Sequence, residues 1–189
     1  MNTTKWNLLD KLISWYRLSA AVKYIKKNDL ILDLGCGVQH YLLNRGKHKF
    51  KLGYGLDYDL RDCQEGNIHL VNYKYQGSLP LKDDFFDKVF LLAVLEHIEE
   101  KDVRALFSEF HRILRKNGRI IITTPAPRSK ILLEFLALKL KILNLEEVTD
   151  HKHYYLAKEI YDLARVSGLQ VINFKPFQFG LNSLYVLEK

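Results

Sequence analysis

Cysteine is scarce in this chain. Cys36 and Cys63 are the only two among 189 residues. They offer neither a disulfide framework nor metal-ligand spacing, so both are expected to be free thiols, which suits a reducing compartment. No run of about 18 uncharged apolar residues occurs, so no membrane span is expected. The first residues, Met1-Asn2-Thr3-Thr4-Lys5-Trp6, lack the basic-then-apolar order of a secretory leader, and a cytoplasmic location is the expectation. There is also no internal repeat, no low-complexity linker and no block of five or more like charges. The net charge of +7 and pI near 9.3 admit an acidic partner. Scattered cations read more simply as a solvated surface, so nucleic acid is not the expected partner.

What remains is an ordinary globular composition, 48% apolar, of a length that suits one domain over residues 1–189. Leu8 to Lys27 repeats apolar residues at three- and four-residue steps, a helical pattern, and Lys26-Lys27-Asn28-Asp29 is a polar stop. Strands are expected at Leu30–Leu34, at Lys51–Leu56 closed by Asp57, at Ile68–Tyr73, at Asp87–Ala93 and at Arg119–Thr124. A short helix through Tyr41, Leu42 and Leu43 follows the first strand. An amphipathic helix over Val103–Arg115 is expected to stop at Asn117-Gly118. Further helices are expected over about Lys130–Leu145 and Ala157–Val166, then two strands near Val171–Phe174 and Leu184–Leu187. Strands alternating with helices predict an α/β fold with a largely parallel sheet.

Ligands of such sheets bind at the carboxyl ends of the strands, where the chemically distinctive residues fall. Ile31-Leu32-Asp33-Leu34-Gly35-Cys36-Gly37 is an apolar strand running into an acid and two glycines. Glycine there lets the backbone turn sharply and pass close to a ligand. The dinucleotide pattern would need a third glycine, but Val38, Gln39 and His40 follow instead. Asp57 ends the second strand, where a carboxylate accepts hydrogen bonds from both ribose hydroxyls. The competing reading is that Asp57 or Asp59 only caps the next turn. Asp33 would repel a pyrophosphate at close range and suits a ligand that carries positive charge.

Four stretches, Leu30–Gly37, Gly55–Asp57, Leu79–Ile98 and Leu114–Pro125, together resemble a class I S-adenosylmethionine-dependent methyltransferase of the type 11 group. The resemblance implies a Rossmann-like, seven-stranded, mostly parallel sheet with an antiparallel last strand and helices on both faces. It implies S-adenosylmethionine as cofactor, with Asp33 near its methionine end and Gly35, Cys36 and Gly37 forming the turn beneath it. Asp57 would bind the ribose, and the Ala93 backbone would face the methionine ammonium. Leu56, Tyr58 and Leu79 would line the adenine beside Gly77 and Ser78. The chain departs from the family at Tyr75-Gln76-Gly77-Ser78-Leu79-Pro80, which lacks the frequent acid for the adenine amino group, leaving Gln76 or Ser78 to serve.

Methyl transfer needs the nucleophile held in line with the methyl, and a base only for a protonated acceptor. The candidates for that base are His97, in the Glu96-His97 loop, and His151 and His153 in Asp150-His151-Lys152-His153-Tyr154-Tyr155. A structural role for each is the alternative, and no third ligand accompanies His151 and His153 to make a metal site. Residues 1–28 are expected to form a helical cap, with Trp6, Trp15 and Tyr16 closing the cofactor pocket. Residues 128–156 are expected to form the variable lid or substrate segment. On a helical projection Lys130, Glu134, Ala137, Lys141 and Asn144 make one narrow stripe and apolar residues cover the rest. That surface calls for burial, in the core, under a lid, in a homodimer or against an apolar acceptor. The expected acceptor is a small molecule, of lipid or sugar-intermediate type. An RNA or protein acceptor is the alternative, and a non-catalytic binding module the third reading.

Overall fold

The structure, a computed structural model, describes residues 8–129 and 152–189. Helix α1 spans Leu8–Ala21 and is extended by one 3-10 turn, Val22–Tyr24. Strand β1 (Leu30–Leu34) leads to α2 (Tyr41–Gly46), β2 (Leu52–Asp57), β3 (Cys63–Glu65) and β4 (Ile68–Asn72). Then come β5 (Phe86–Leu92), α3 (Glu100–Ile113) and β6 (Leu114–Pro125). Helix α4 (Ala157–Val166) precedes β7 (Gln170–Phe177) and β8 (Asn182–Glu188). The expected helix at 130–145, Trp6 and His151 lie outside the described residues.

The eight strands of the described residues form one sheet in the order β3-β4-β2-β1-β5-β6-β8-β7. The four pairings that join β4, β2, β1, β5 and β6 are parallel, while β8 runs antiparallel to both β6 and β7. The chain therefore makes β7 first and then returns to insert β8 between it and β6. The extra strand relative to the expected seven is β3, three exposed residues antiparallel to β4 at the sheet edge.

The apolar runs of the central strands are continuous because both faces are covered. Leu32, Val89, Leu91, Ile120 and Ile122 point to the face packed by α3 and α4. Helix α3 supplies Val103, Leu106, Phe107, Phe110 and Ile113, a stripe at helical spacing. Ile31, Phe90 and Ile121 point to the opposite face, where they meet Ala21, Leu42 and Leu43. No described helix is long and apolar enough to cross a membrane.

Two expected boundaries shift. The first helix gives way at Ile25, which is extended, and Asp29 Oδ2 accepts the Lys26 N–H at 2.7 Å to form the turn. Helix α3 ends at Ile113, ahead of Asn117-Gly118. The chain is extended from Leu114, and Asn117 adopts a left-handed conformation (φ 61) in an irregular lead-in to β6. Gly118 is there for space. A Cβ would stand 2.8 Å from the Arg115 carbonyl oxygen and 3.1 Å from that of Phe86.

Candidate functional site

The carboxyl ends of β1, β2, β4 and β5 carry the distinctive residues to one edge. After β1, Gly35 and Gly37 both have positive φ (73 and 66). The Leu56 carbonyl holds the turn by accepting the Gly35 N–H at 2.8 Å and the Cys36 N–H at 3.4 Å. A Cβ on Gly35 would lie 2.4 Å from Val94 Cγ2, so this glycine permits the loop after β5 to close over the turn. At Gly37 a Cβ would meet nothing within 4 Å. That backbone opens onto free space, as a ligand cradle requires.

Asp57 sets the shape of the turn. Its Oδ2 accepts the Gly37 N–H at 2.9 Å and its Oδ1 accepts the Asp59 N–H at 3.1 Å. The capping role weighed against ribose binding is thus present, and it does not exhaust the group, because an ionised carboxylate offers about four acceptor sites. Asp33 is 3% exposed and has no hydrogen-bond or ion-pair partner among the described residues. Burial pushes its carboxyl up to about 8, and the charge of Asp57 adds to the shift. A buried carboxylate left without a partner, beside a glycine turn open to space, fits a ligand that brings positive charge. The Cys36 thiol packs over Gly55, where a Cβ would come within 2.8 Å of Sγ. Burial, then Asp33 and Asp57, push this thiol far up, which disfavours the thiolate form.

Ala93 has φ 56 and donates its N–H to the Thr123 carbonyl at 2.9 Å. A non-glycine residue held in this region at the mouth of a site is strain retained by its surroundings. Gly77 (φ 91) also faces open space, and the segment after it is held from α3. Glu109 Oε2 accepts the Leu79 N–H at 2.6 Å, while Arg112 donates to the carbonyls of Leu79 and Leu81 at 3.0 and 2.8 Å. Tyr73 donates its hydroxyl proton to the Ser78 carbonyl.

Of the side chains expected along the adenine, Leu56 is fully buried in the core and contributes its carbonyl instead. The Leu79 side chain is likewise in the core at 4% exposure, whereas Tyr58 is exposed. The missing third glycine costs nothing sterically: Gln39 is exposed, and the left-handed position falls at His40 (φ 33).

Two of the three histidine candidates, His97 and His153, meet at one peptide group. The Glu96 carbonyl accepts N–H bonds from Lys152 at 2.7 Å and His153 at 3.4 Å, seating the segment before α4 against the loop that carries His97. Glu159 Oε1 lies 2.9 Å from His153 Nε2, and its other oxygen accepts the Leu156 N–H at 2.6 Å at the start of α4. A carboxylate only accepts, so the proton faces Glu159 and a neutral His153 keeps its lone pair on Nδ1. The Glu96 side chain is fully buried. Burial pushes its carboxyl upward, opposed by its own backbone N–H, Arg17 of α1, His97 and Thr124. The N-terminal helix thus acts on this carboxyl through the charge of Arg17. Trp15 instead lies under the Arg45 guanidinium of α2, at 5.6 Å.

Several of these contributions carry no local sequence signal. Val94 over Gly35, the strain at Ala93, and Glu109 with Arg112 emerge only when distant segments meet. For Glu109 and Arg112 the sole hint was two polar residues near the end of an amphipathic helix.

The sequence profile of the methyltransferase domain family matches residues 10–173. A relative in Methanocaldococcus jannaschii, named only as uncharacterized protein MJ0638, is 28% identical and covers 97% of this chain and 76% of its own length. Among solved structures, the methyltransferase in a complex with the Haloferax volcanii Trm112 methyltransferase activator superposes with a TM-score of 0.75. It is 15% identical and covers 94% of this chain and 91% of its own. An S-adenosylmethionine-dependent methyltransferase from Mesorhizobium loti gives 0.69 at 18% identity, covering 96% of this chain and all of its own. At such identities the likeness concerns the fold.

Proposed function

The chain belongs to the methyltransferase domain family, and on that premise we propose that it methylates a small molecule of lipid or sugar-intermediate type. S-adenosylmethionine supplies a methyl group on a sulfonium, already activated for displacement. The chain's own part is to bind and orient. Asp57 would take the ribose hydroxyls on the acceptor sites left over from the turn. Asp33, with the strained Ala93 backbone, would face the cationic methionine end. Gly35 and Gly37 would let the cofactor lie against the backbone, and the segment Gly77–Leu79, clamped by Glu109 and Arg112, would flank the adenine.

For a protonated acceptor, His153 is the better supported base, with His97 beside it. The observation that carries the cofactor reading is the buried, partnerless Asp33 next to Asp57. Calorimetric titration with S-adenosylmethionine and S-adenosylhomocysteine tests it. Both should bind well below hundred-micromolar concentrations, and failure of both sinks it. A screen of acceptors with the wild type and His153→Ala then tests the base.

A protein partner is a second reading. It is suggested by the activator bound to the Haloferax neighbour and by β3, whose three exposed residues leave the sheet edge open. Co-expression with an activator of that kind, followed by gel filtration, would show one co-eluting peak if it holds.

A further inference from the structure

We propose that the amino-terminal edge of the sheet, opposite the cofactor cradle, is a surface that binds the phosphate backbone of a nucleic acid. The inference does not depend on the methyl acceptor. In the sequence the cations are dispersed; in the fold the lead-ins to β1, β2, β5 and β6 all arrive at the same edge, because those strands are parallel. The lead-ins to β1 and β2 are stitched together, with the Asn28 N–H donated to the Lys49 carbonyl at 3.0 Å and the Lys51 N–H to that of Asp29 at 2.9 Å.

The acids at this edge are already engaged. Asp29 accepts the Lys26 N–H and lies 3.8 Å from the buried Lys88. Asp87 accepts the Leu30 N–H at 2.7 Å and pairs with Arg115 at 3.3 Å. Asp84 pairs with Lys189, and Glu188 with Arg119. Lys26, Lys27, Lys47, Lys49, Lys51 and Lys116 are all exposed, and none has an ion-pair partner among the described residues. Six lysines that the sequence keeps apart are thus gathered at one edge with no described acid left to pair with them.

Within it lies a cavity of about 470 Å³ lined by Asn28, Leu30, Lys51 and Arg115, inside the roughly 300–1,000 Å³ range of small-ligand clefts. The Arg115 guanidinium stands over the Phe85 ring at 6.0 Å. A lysine array around a cleft suits a flexible string of phosphates. An anionic membrane or an acidic protein would also want apolar anchors. Among the described residues no large exposed apolar side chain comes from these lead-ins. Strands of five to seven residues, at about 3.3 Å each, set this edge about 17–23 Å from the cradle. The surface therefore holds a polymer and does not present it for reaction.

The test is fluorescence anisotropy of the full chain with a labelled single-stranded RNA of mixed sequence. Binding should weaken with salt with a log–log slope of about −3 or steeper, the release expected for four or more neutralised phosphates. The reversal Lys47→Glu/Lys49→Glu/Lys51→Glu should weaken it about tenfold or more, and the milder Lys49→Gln/Lys51→Gln should act in the same direction. Reversal of two exposed lysines elsewhere, Lys158→Glu/Lys175→Glu, should cost less than about threefold. S-adenosylmethionine affinity, measured on the same samples, should be unchanged in every variant. No RNA binding at low salt, equal losses in the two reversal sets, or sedimentation with phosphatidylserine vesicles without RNA binding would each overturn the proposal.

Discussion

The two edges of the sheet treat charge in opposite ways. At the amino edge the acids are matched to cations or backbone donors, and what is left over is lysine on the surface. At the carboxyl edge Asp33 is buried with no partner, and Asp57 is committed to backbone N–H groups with acceptor capacity to spare. The backbone differs in residue type: the positive-φ positions are Gly35, Gly37, Gly77 and Ala93 at the carboxyl edge, and Asn28, Asp84 and Asn117, of the types that tolerate this region, at the amino edge. An edge that satisfies its own groups is built for stability and for loose, salt-sensitive contacts. An edge that leaves a carboxylate unsatisfied beside glycine turns open to space is built to receive a ligand.

The largest effect should come from breaking the carboxyl edge where it is busiest. Asp57→Ala removes the proposed ribose acceptor and the anchor of the Gly37 turn together, and should weaken S-adenosylmethionine about a hundredfold in a calorimetric titration. The lysine reversals at the other edge should leave that affinity within about twofold.

Asp33→Asn separates binding from stability. The folded carboxyl is raised to about 8 from 3.8. Between those values the folded state holds a proton that the unfolded chain has released, so stability falls as pH rises. Asp33→Asn should therefore stabilise the ligand-free protein at pH 8 by about 2 kcal/mol or more, and hardly at all near pH 4. It should also weaken the cationic cofactor about tenfold. Thermal melts at the two pH values check the first effect. Equal melts at pH 8 would mean that Asp33 carries no strained charge. In the wild type, cofactor binding below pH 8 should release a proton, seen as a buffer-dependent binding enthalpy.

Glycine substitutions sharpen the contrast within the turn. Gly35→Ala meets both its φ of 73 and Val94, and should cost about 2–3 kcal/mol. Gly37→Ala meets only its φ of 66 and should cost about 1 kcal/mol. Adding Val94→Ala to Gly35→Ala should recover part of the loss in urea unfolding, whereas beside Gly37→Ala it should recover none. The smallest effect belongs to the clamp. Arg112→Ala should loosen the Gly77–Leu81 segment and cost the cofactor about three- to tenfold.

Asp33, the two glycines and Asp57 were legible in the sequence because strand ends in a buried parallel sheet are marked by apolar runs that stop abruptly. The antiparallel run of the last strand was legible too, through the family resemblance, but its insertion between β6 and β7 was not. Strand β3 was not, because Cys63-Gln64-Glu65 is short, polar and exposed on both faces. The end of α3 was misread because Asn117-Gly118 resembles a helix stop, whereas Leu114 had already left the helix to pair with Phe86. The gathering of lysines could not be seen along the chain. It is a property of parallel topology, which brings to one edge loops that the sequence keeps apart.

The position of β8 has a consequence for how the molecule is made. Both of its neighbours leave the ribosome before it does. Until Asn182–Glu188 emerges, β6 has an open flank carrying Ile120, Ile121 and Ile122, and β7 has no partner. At ordinary synthesis rates that wait lasts several seconds. During it, a strand edge of this apolar kind needs shelter from neighbouring nascent chains. Strand β8 closes the sheet, so a chain interrupted before Asn182 would expose two strand edges and be sticky rather than merely inactive.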